Sequence, residues 1–165
     1  MFTAKTAALA LDVLTLARAR HKTLVTAESC TGGLIAASLT AHAGSSAVFD
    51  RGFVTYANAA KTTCLGVTET LLATHGAVSS ESAASMAVGA LAASPADIAL
   101  SVTGIAGPDG ATPGKPVGLV WFGIVQRNQP AQTVHHIFPG NRTEVREAAL
   151  LAGLALLKTA LEQAP

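Results

Sequence analysis

The stretch that decides the fold is Thr23-Leu24-Val25-Thr26-Ala27-Glu28-Ser29-Cys30-Thr31-Gly32-Gly33-Leu34. Its β-branched opening predicts a first strand over 23–27, and the small apolar run that follows predicts a helix over 31–42, stopped at Ala43-Gly44. A strand that turns sharply into a helix is the unit of an α/β sheet. Ser29 stands near that turn, where backbone N–H groups at a helix N-terminus favour negative charge. A hydroxyl held there serves either as the cap of the helix or as a nucleophile with an oxyanion site beside it.

Working outward, the chain alternates between helical and strand patterns. An amphipathic helix is expected over 3–20. After Ser29, strands are expected over 48–56, 97–103, 117–126 and 132–138, the last two joined by a hairpin at Asn128-Gln129-Pro130. Helices are expected from Asn58 through Lys61, over 69–75 with Thr68 as cap, from Ser79 to about Ala93, and over 142–163 with Asn141 or Thr143 as cap. This order predicts one domain over 1–165: a three-layer α/β/α fold around a mixed, mostly parallel sheet of about five strands.

Composition narrows the function classes. The chain has 165 residues, half of them hydrophobic, enough for one substantial core. A net charge of +1 leaves no basic face, so nucleic acid is not expected as a partner. No apolar run is long enough for a membrane span, and the N-terminal segment lacks a signal-peptide cleavage pattern. Cys30 and Cys64 are the only cysteines and show no paired spacing, which fits a reducing cytoplasm. The five histidines are scattered, so no metal and no cofactor are expected. The Ala-rich closing helix offers a surface for a homo-oligomer, such as a dimer, as readily as for the core.

Two tempting motifs fail on spacing. The run Gly110-Ala111-Thr112-Pro113-Gly114-Lys115 is too short for a phosphate loop, and Pro116 stands where Ser or Thr belongs. Ser29 is not in a nucleophile elbow either, because Ala27 and Thr31 occupy the glycine positions. The loop Gly104-Ile105-Ala106-Gly107-Pro108-Asp109-Gly110 is more informative. It leaves the carboxyl end of a buried strand, where open α/β sheets bind ligands. Lys61 lies about one turn into a helix among Ala59, Ala60 and Cys64. Burial there would lower its pKa and let it take the Ser29 proton. A solvated helix lysine fits the same pattern, and only a meeting of Ser29 and Lys61 in space separates the two.

Seven separated motifs occur in one order: Glu28-Ser29-Cys30-Thr31-Gly32-Gly33, Gly44-Ser45-Ser46, Tyr56-Ala57-Asn58-Ala59-Ala60-Lys61, Gly76-Ala77-Val78-Ser79, Thr103-Gly104-Ile105-Ala106-Gly107-Pro108, Lys115-Pro116-Val117-Gly118 and Gly140-Asn141-Arg142. In this set, over residues from about 5 to 160, the chain resembles the CinA C-terminal domain family, whose enzymatic members are nicotinamide-nucleotide amidases. The resemblance implies hydrolysis of nicotinamide mononucleotide to nicotinate mononucleotide and ammonia, in pyridine-nucleotide salvage. It implies a serine and a lysine as the catalytic pair, at Ser29 and Lys61. Tyr56 and Thr103 match further active-site positions, and Arg142 matches an arginine implicated there. Ala57 and Ala59 depart from the residues common in the lysine motif, but they flank the lysine rather than replace it. The chain resembles the stand-alone form, without the molybdopterin-binding-type domain of longer members.

These readings join in one expected site. Ser29 attacks, Lys61 is the base, and Tyr56 or Thr103 assists proton delivery. Cys30, Thr31, Gly32 and Gly33 surround the oxyanion. Ser46, Gly104, Gly107 and Arg142 contact the substrate, with Arg142 on its phosphate. Two alternatives of other classes remain open at this point: a catalytically silent module that binds a nucleotide and regulates a partner, and a serine amidase acting on another small amide.

Overall fold

In the computed structural model, which describes residues 2–164, the elements follow one another as α1 (Ala4–Ala19), β1 (Leu24–Glu28), α2 (Leu34–Thr40), a single 3-10 turn (Ser45–Ala47), β2 (Phe49–Val54), α3 (Asn58–Leu65), α4 (Glu69–His75), α5 (Ser80–Ala92), β3 (Ile98–Gly104), β4 (Leu119–Gln126), β5 (Gln132–Ile137) and α6 (Arg142–Gln163). The five strands form one sheet in the order β2-β1-β3-β4-β5. β1 runs parallel to both of its neighbours, while β4 is antiparallel to β3 and to β5. Four strands therefore point one way, and the mixed α/β/α fold is as the sequence indicates.

Strand periodicity assigns each residue of β1 to a layer. Leu24 packs with Ile98, Leu100, Val102 and Phe122 under α1, α2 and α6. Val25 and Ala27 face the other way, with Ala99, Val125 and the α5 residues Met86, Ala87 and Ala90. Continuing the alternation puts Glu28 on the α2 side and Ser29 on the α3–α5 side. The β1–β3 register pairs Val25 with Ala99 and Ala27 with Ser101, so two residues further on Ser29 stands beside Thr103.

Small residues bring the helices of this layer close. An added Cβ at Gly89 of α5 would lie 1.9 Å from the Leu65 carbonyl oxygen at the end of α3. One at Gly123 of β4 would lie 2.4 Å from the Ala83 carbonyl oxygen of α5. No side chain fits at either position, and this close packing seats α3 above the carboxyl ends of β1 and β3.

Helix caps largely follow the sequence. Thr68 accepts from Leu71 N–H, Ser79 from Ser82 N–H, and Asn141 forms a capping box with Glu144. The chief difference is at α2, which begins at Leu34 rather than Thr31. Gly32 and Gly33 take φ of +61° and +91°, in the left-handed region, so residues 29–33 form a turn instead of a helical start. β2 likewise stops at Val54, before Thr55 and Tyr56 bend away toward α3.

Candidate active site

A cleft of about 230 Å³ opens at the carboxyl ends of β1 and β3, lined among others by Ser29, Cys30, Tyr56, Lys61, Thr103 and Arg142. A larger groove of about 390 Å³ between β4, β5 and α6 contains glutamines but no titratable side chain.

At its centre Lys61 Nζ stands 3.0 Å from Ser29 Oγ, 2.8 Å from the Thr55 carbonyl oxygen and 3.4 Å from that of Tyr56. The bend after β2 turns both carbonyls toward the amine. Lys61 is only 1 % exposed and Ser29 9 %. Burial pushes the Lys61 pKa below its ordinary 10.5, outweighing the opposing pull of the nearby Cys30. A neutral lysine has two N–H bonds and one lone pair. As the ammonium, Lys61 donates to Ser29 Oγ; in the neutral form, with the two carbonyls taking its N–H bonds, the lone pair is left for the Ser29 hydroxyl, which then donates to nitrogen. This arrangement suits a general base acting on a serine nucleophile.

The adjacent thiol is the opposite case. Cys30 lines the same cleft, yet burial pushes its pKa up to about 12, so it stays protonated and unreactive.

Thr103 Oγ1 donates to the Ala77 carbonyl oxygen at 2.8 Å, which leaves its lone pairs as acceptors in the cleft. Gly104 also lines the cleft. Arg142, the first residue of α6, donates from Nη1 to the Gly107 carbonyl oxygen at 2.9 Å and from Nη2 to the Tyr56 hydroxyl oxygen at 2.7 Å. The Gly104–Gly110 loop, the α3 approach and α6 thus meet at one rim. Tyr56 is 58 % exposed, and only its carbonyl approaches Lys61.

Four expected contacts are placed elsewhere. Ser46 is exposed in the turn that precedes β2, at the end of the sheet away from the cleft. Parallel β2 must start at the opposite end from where β1 finishes, so the α2 crossover carries Ser46 away. Gly32 and Gly33 spend their N–H groups inside the turn, on the Ser29 carbonyl oxygen and on Glu28 Oε2 respectively. Thr31 is wholly buried, with Oγ1 unbonded among the described residues, and does not line the cleft.

Two residues with no role in the sequence reading shape the turn. Glu28, 1 % exposed, accepts from the N–H groups of Gly33, Ile35 and Ala36 at 3.1, 3.1 and 2.8 Å. It replaces the side-chain cap that Gly33 cannot provide to α2. Arg146 donates from Nε to the Cys30 carbonyl oxygen and from Nη2 to the Thr31 carbonyl oxygen, both at 3.1 Å. The alternation of β1 could have flagged Glu28 as inward-facing, but nothing local marks Arg146. No cluster of three or more candidate metal-ligating side chains occurs among the described residues, and no helix there is long and apolar enough to cross a membrane.

Fold and site together define an α/β protein with a buried serine–lysine pair at the carboxyl end of its sheet. The sequence model of the CinA C-terminal domain matches residues 6–161. The chain is 49 % identical over 155 residues to the nicotinamide-nucleotide amidohydrolase PncC of Enterobacter agglomerans, covering 94 % of this chain and 93 % of that one. To the Escherichia coli K12 protein of the same name it is 51 % identical over 140 residues, 85 % of each. The crystal structure of the competence damage-inducible protein A from Klebsiella pneumoniae superposes with a TM-score of 0.93 at 41 % identity, covering 97 % of this chain and 99 % of that one. The chain belongs to the CinA C-terminal domain family.

Proposed function

We propose that this chain is a nicotinamide-nucleotide amidase that hydrolyses nicotinamide mononucleotide to nicotinate mononucleotide and ammonia through an acyl-serine intermediate. The observation that carries the chemistry is the 3.0 Å approach of the buried Lys61 amine to Ser29 Oγ. The substrate comes from the names of the two amidohydrolase relatives at about half identity.

Ser29 Oγ attacks the carboxamide carbon and gives its proton to Lys61 Nζ. The negative charge on the carboxamide oxygen is met by backbone N–H groups of the Ser29 turn, where losing one donor typically costs about 10²–10³ in rate. The C–N bond then breaks as the Lys61 ammonium passes its proton to the departing nitrogen, and ammonia leaves. Water, with its proton taken by Lys61, cleaves the ester and regenerates Ser29. Thr103 has its O–H on Ala77 and accepts a carboxamide N–H, which orients the leaving group rather than relaying a proton. Tyr56, with its hydroxyl bonded to Arg142 at the rim, shapes the entrance rather than relaying a proton. A cleft of about 230 Å³ suits the pyridine ring, leaving ribose and phosphate toward the rim and the remaining Arg142 donors. The free cysteines fit a reducing cytoplasm, where pyridine-nucleotide salvage would use such an enzyme.

The test is ammonia release from nicotinamide mononucleotide by wild type and Ser29→Ala without added metal. Turnover abolished by the substitution is the expected result. No turnover by folded wild type would overturn the assignment, and retained turnover in Ser29→Ala would overturn the nucleophile.

A further inference from the structure

We infer that Arg146 is a positioning residue: it holds the Cys30 carbonyl, and with it the cleft-lining residue whose N–H follows the nucleophile and faces the oxyanion site. The inference rests on the acyl-serine reading above and names the part of the fold that keeps its oxyanion site in place.

Following the N–H groups of the turn in order leaves few candidates for the oxyanion. That of Ser29 donates to Val102, Gly32 to Ser29 and Leu34 to Thr31, each to a carbonyl oxygen. Those of Gly33, Ile35 and Ala36 all go to Glu28. Among the described residues, the N–H groups of Cys30 and Thr31, the two that follow the nucleophile, have no hydrogen-bonded acceptor, and of the two residues only Cys30 lines the cleft while Thr31 is wholly buried. A trans peptide points its C=O and N–H in opposite directions, so holding the carbonyl aims the N–H. The Cys30 N–H is aimed because the Ser29 carbonyl oxygen is held by Gly32 N–H at 3.0 Å. On its other side Cys30 is fixed because its own carbonyl oxygen is held by Arg146 Nε at 3.1 Å.

The turn needs this outside restraint. Gly32 and Gly33 make rotation of the neighbouring peptides easy, and the next carbonyl, that of Thr31, is shared between Leu34 N–H at 3.3 Å and Arg146 Nη2 at 3.1 Å. A guanidinium spans two successive carbonyls with one planar fork, which an ammonium cannot do. Arg146 is in none of the salt bridges among the described residues, so its charge is committed to these carbonyls. It also lies outside the catalytic cleft. Its side chain lines a separate groove of about 190 Å³ with Phe2, Thr6 and Leu34, so removing it leaves the cleft wall intact. Arg142 and Arg146, one turn apart on α6, thus divide the work: the first reaches the rim and the second holds the turn.

The experiment compares wild type, Arg146→Ala and Arg146→Lys on two readouts. One is kcat and KM for ammonia release from nicotinamide mononucleotide. The other is the rate at which a fluorophosphonate modifies Ser29, followed by intact mass, since that reaction also places negative charge on an oxygen beside Ser29. Arg146→Ala is expected to lower kcat by about 10²-fold with KM changed by less than about threefold, and to slow phosphonylation similarly. Arg146→Lys, able to hold one carbonyl, should recover part of both rates. A kcat and phosphonylation rate within about threefold of wild type, or a loss confined to KM, overturns the inference. If Arg146→Ala does not fold, Arg146→Lys and Arg146→Gln decide by the same criteria. A wild type that is phosphonylated but releases no ammonia defeats the substrate assignment alone, and the phosphonylation rates still judge Arg146. A wild type inert in both assays removes Ser29 as nucleophile and this inference with it.

Discussion

Lys61 Nζ and Ser29 Oγ meet at 3.0 Å across 32 residues of sequence, the lysine arriving from α3 and the serine from the end of β1. Both sit on the face of the sheet covered by α3 and α5, because Ser29 continues the alternation of Val25 and Ala27. The close approach of α3 to Gly89 of α5 sets the height of the amine above that face. Sheet parity and one glycine contact thus account for the pairing.

Removing the amine tests its chemical role. Lys61→Met keeps the volume and apolar stem of a wholly buried side chain, so the fold should survive. Without a general base, kcat for ammonia release should fall by roughly 10²–10⁴. A variant retaining a tenth or more of wild-type turnover, measured on a chain of unchanged circular dichroism, would take Lys61 out of the mechanism.

The pH dependence follows from the lowered Lys61 pKa. Only the neutral amine can take a proton, so kcat/KM should rise with pH through that lowered value and level off before the ordinary 10.5 of a solvated lysine. The linkage to stability has the same sign. Between the folded-state pKa and 10.5 the unfolded chain binds more protons than the native one, so native stability rises with pH across that window. Below it, both states carry the charge and the native state keeps its burial penalty. Urea midpoints of wild type relative to Lys61→Met should therefore climb across this window. A flat difference would show that burial does not shift this lysine.

Much of this architecture is legible along the chain. The five strands, the hairpin after Gln126 and the caps at Thr68, Ser79 and Asn141 are readable because each depends on neighbours within a few residues. The start of α2 is misplaced by three residues because Gly32 and Gly33, which admit a helix, here adopt left-handed φ. Ser46 reads as a site residue until the direction of the crossover is known. Arg146 is invisible to any local pattern, since its partners Cys30 and Thr31 lie 116 and 115 residues away. An arginine one turn into a helix otherwise reads as solvated surface.

The two cysteines should differ in reactivity. Cys64 is exposed, whereas the buried Cys30 thiol is pushed up to about 12. Under native conditions at mildly alkaline pH, iodoacetamide should therefore modify Cys64 and spare Cys30, with both modified in urea. Cys64→Ala should retain full turnover. Native alkylation at Cys30, read by peptide mass, would contradict the burial that separates this thiol from the serine beside it.

Glu28 offers the sharpest test of how the turn is built. One buried carboxylate accepts three backbone N–H groups and takes the place of the missing cap on α2. Glu28→Gln preserves shape but replaces one acceptor oxygen by an NH₂ group, which then faces a backbone N–H donor. An unsatisfied buried donor costs about 1–3 kcal/mol, and the lost charge-assisted bonds act in the same direction. The urea midpoint should fall accordingly with an unchanged m-value. Because the same bonds fix Gly33, kcat should also drop, with less effect on KM. A Glu28→Gln protein as stable and as active as wild type would mean that the turn is held by Arg146 and the backbone alone.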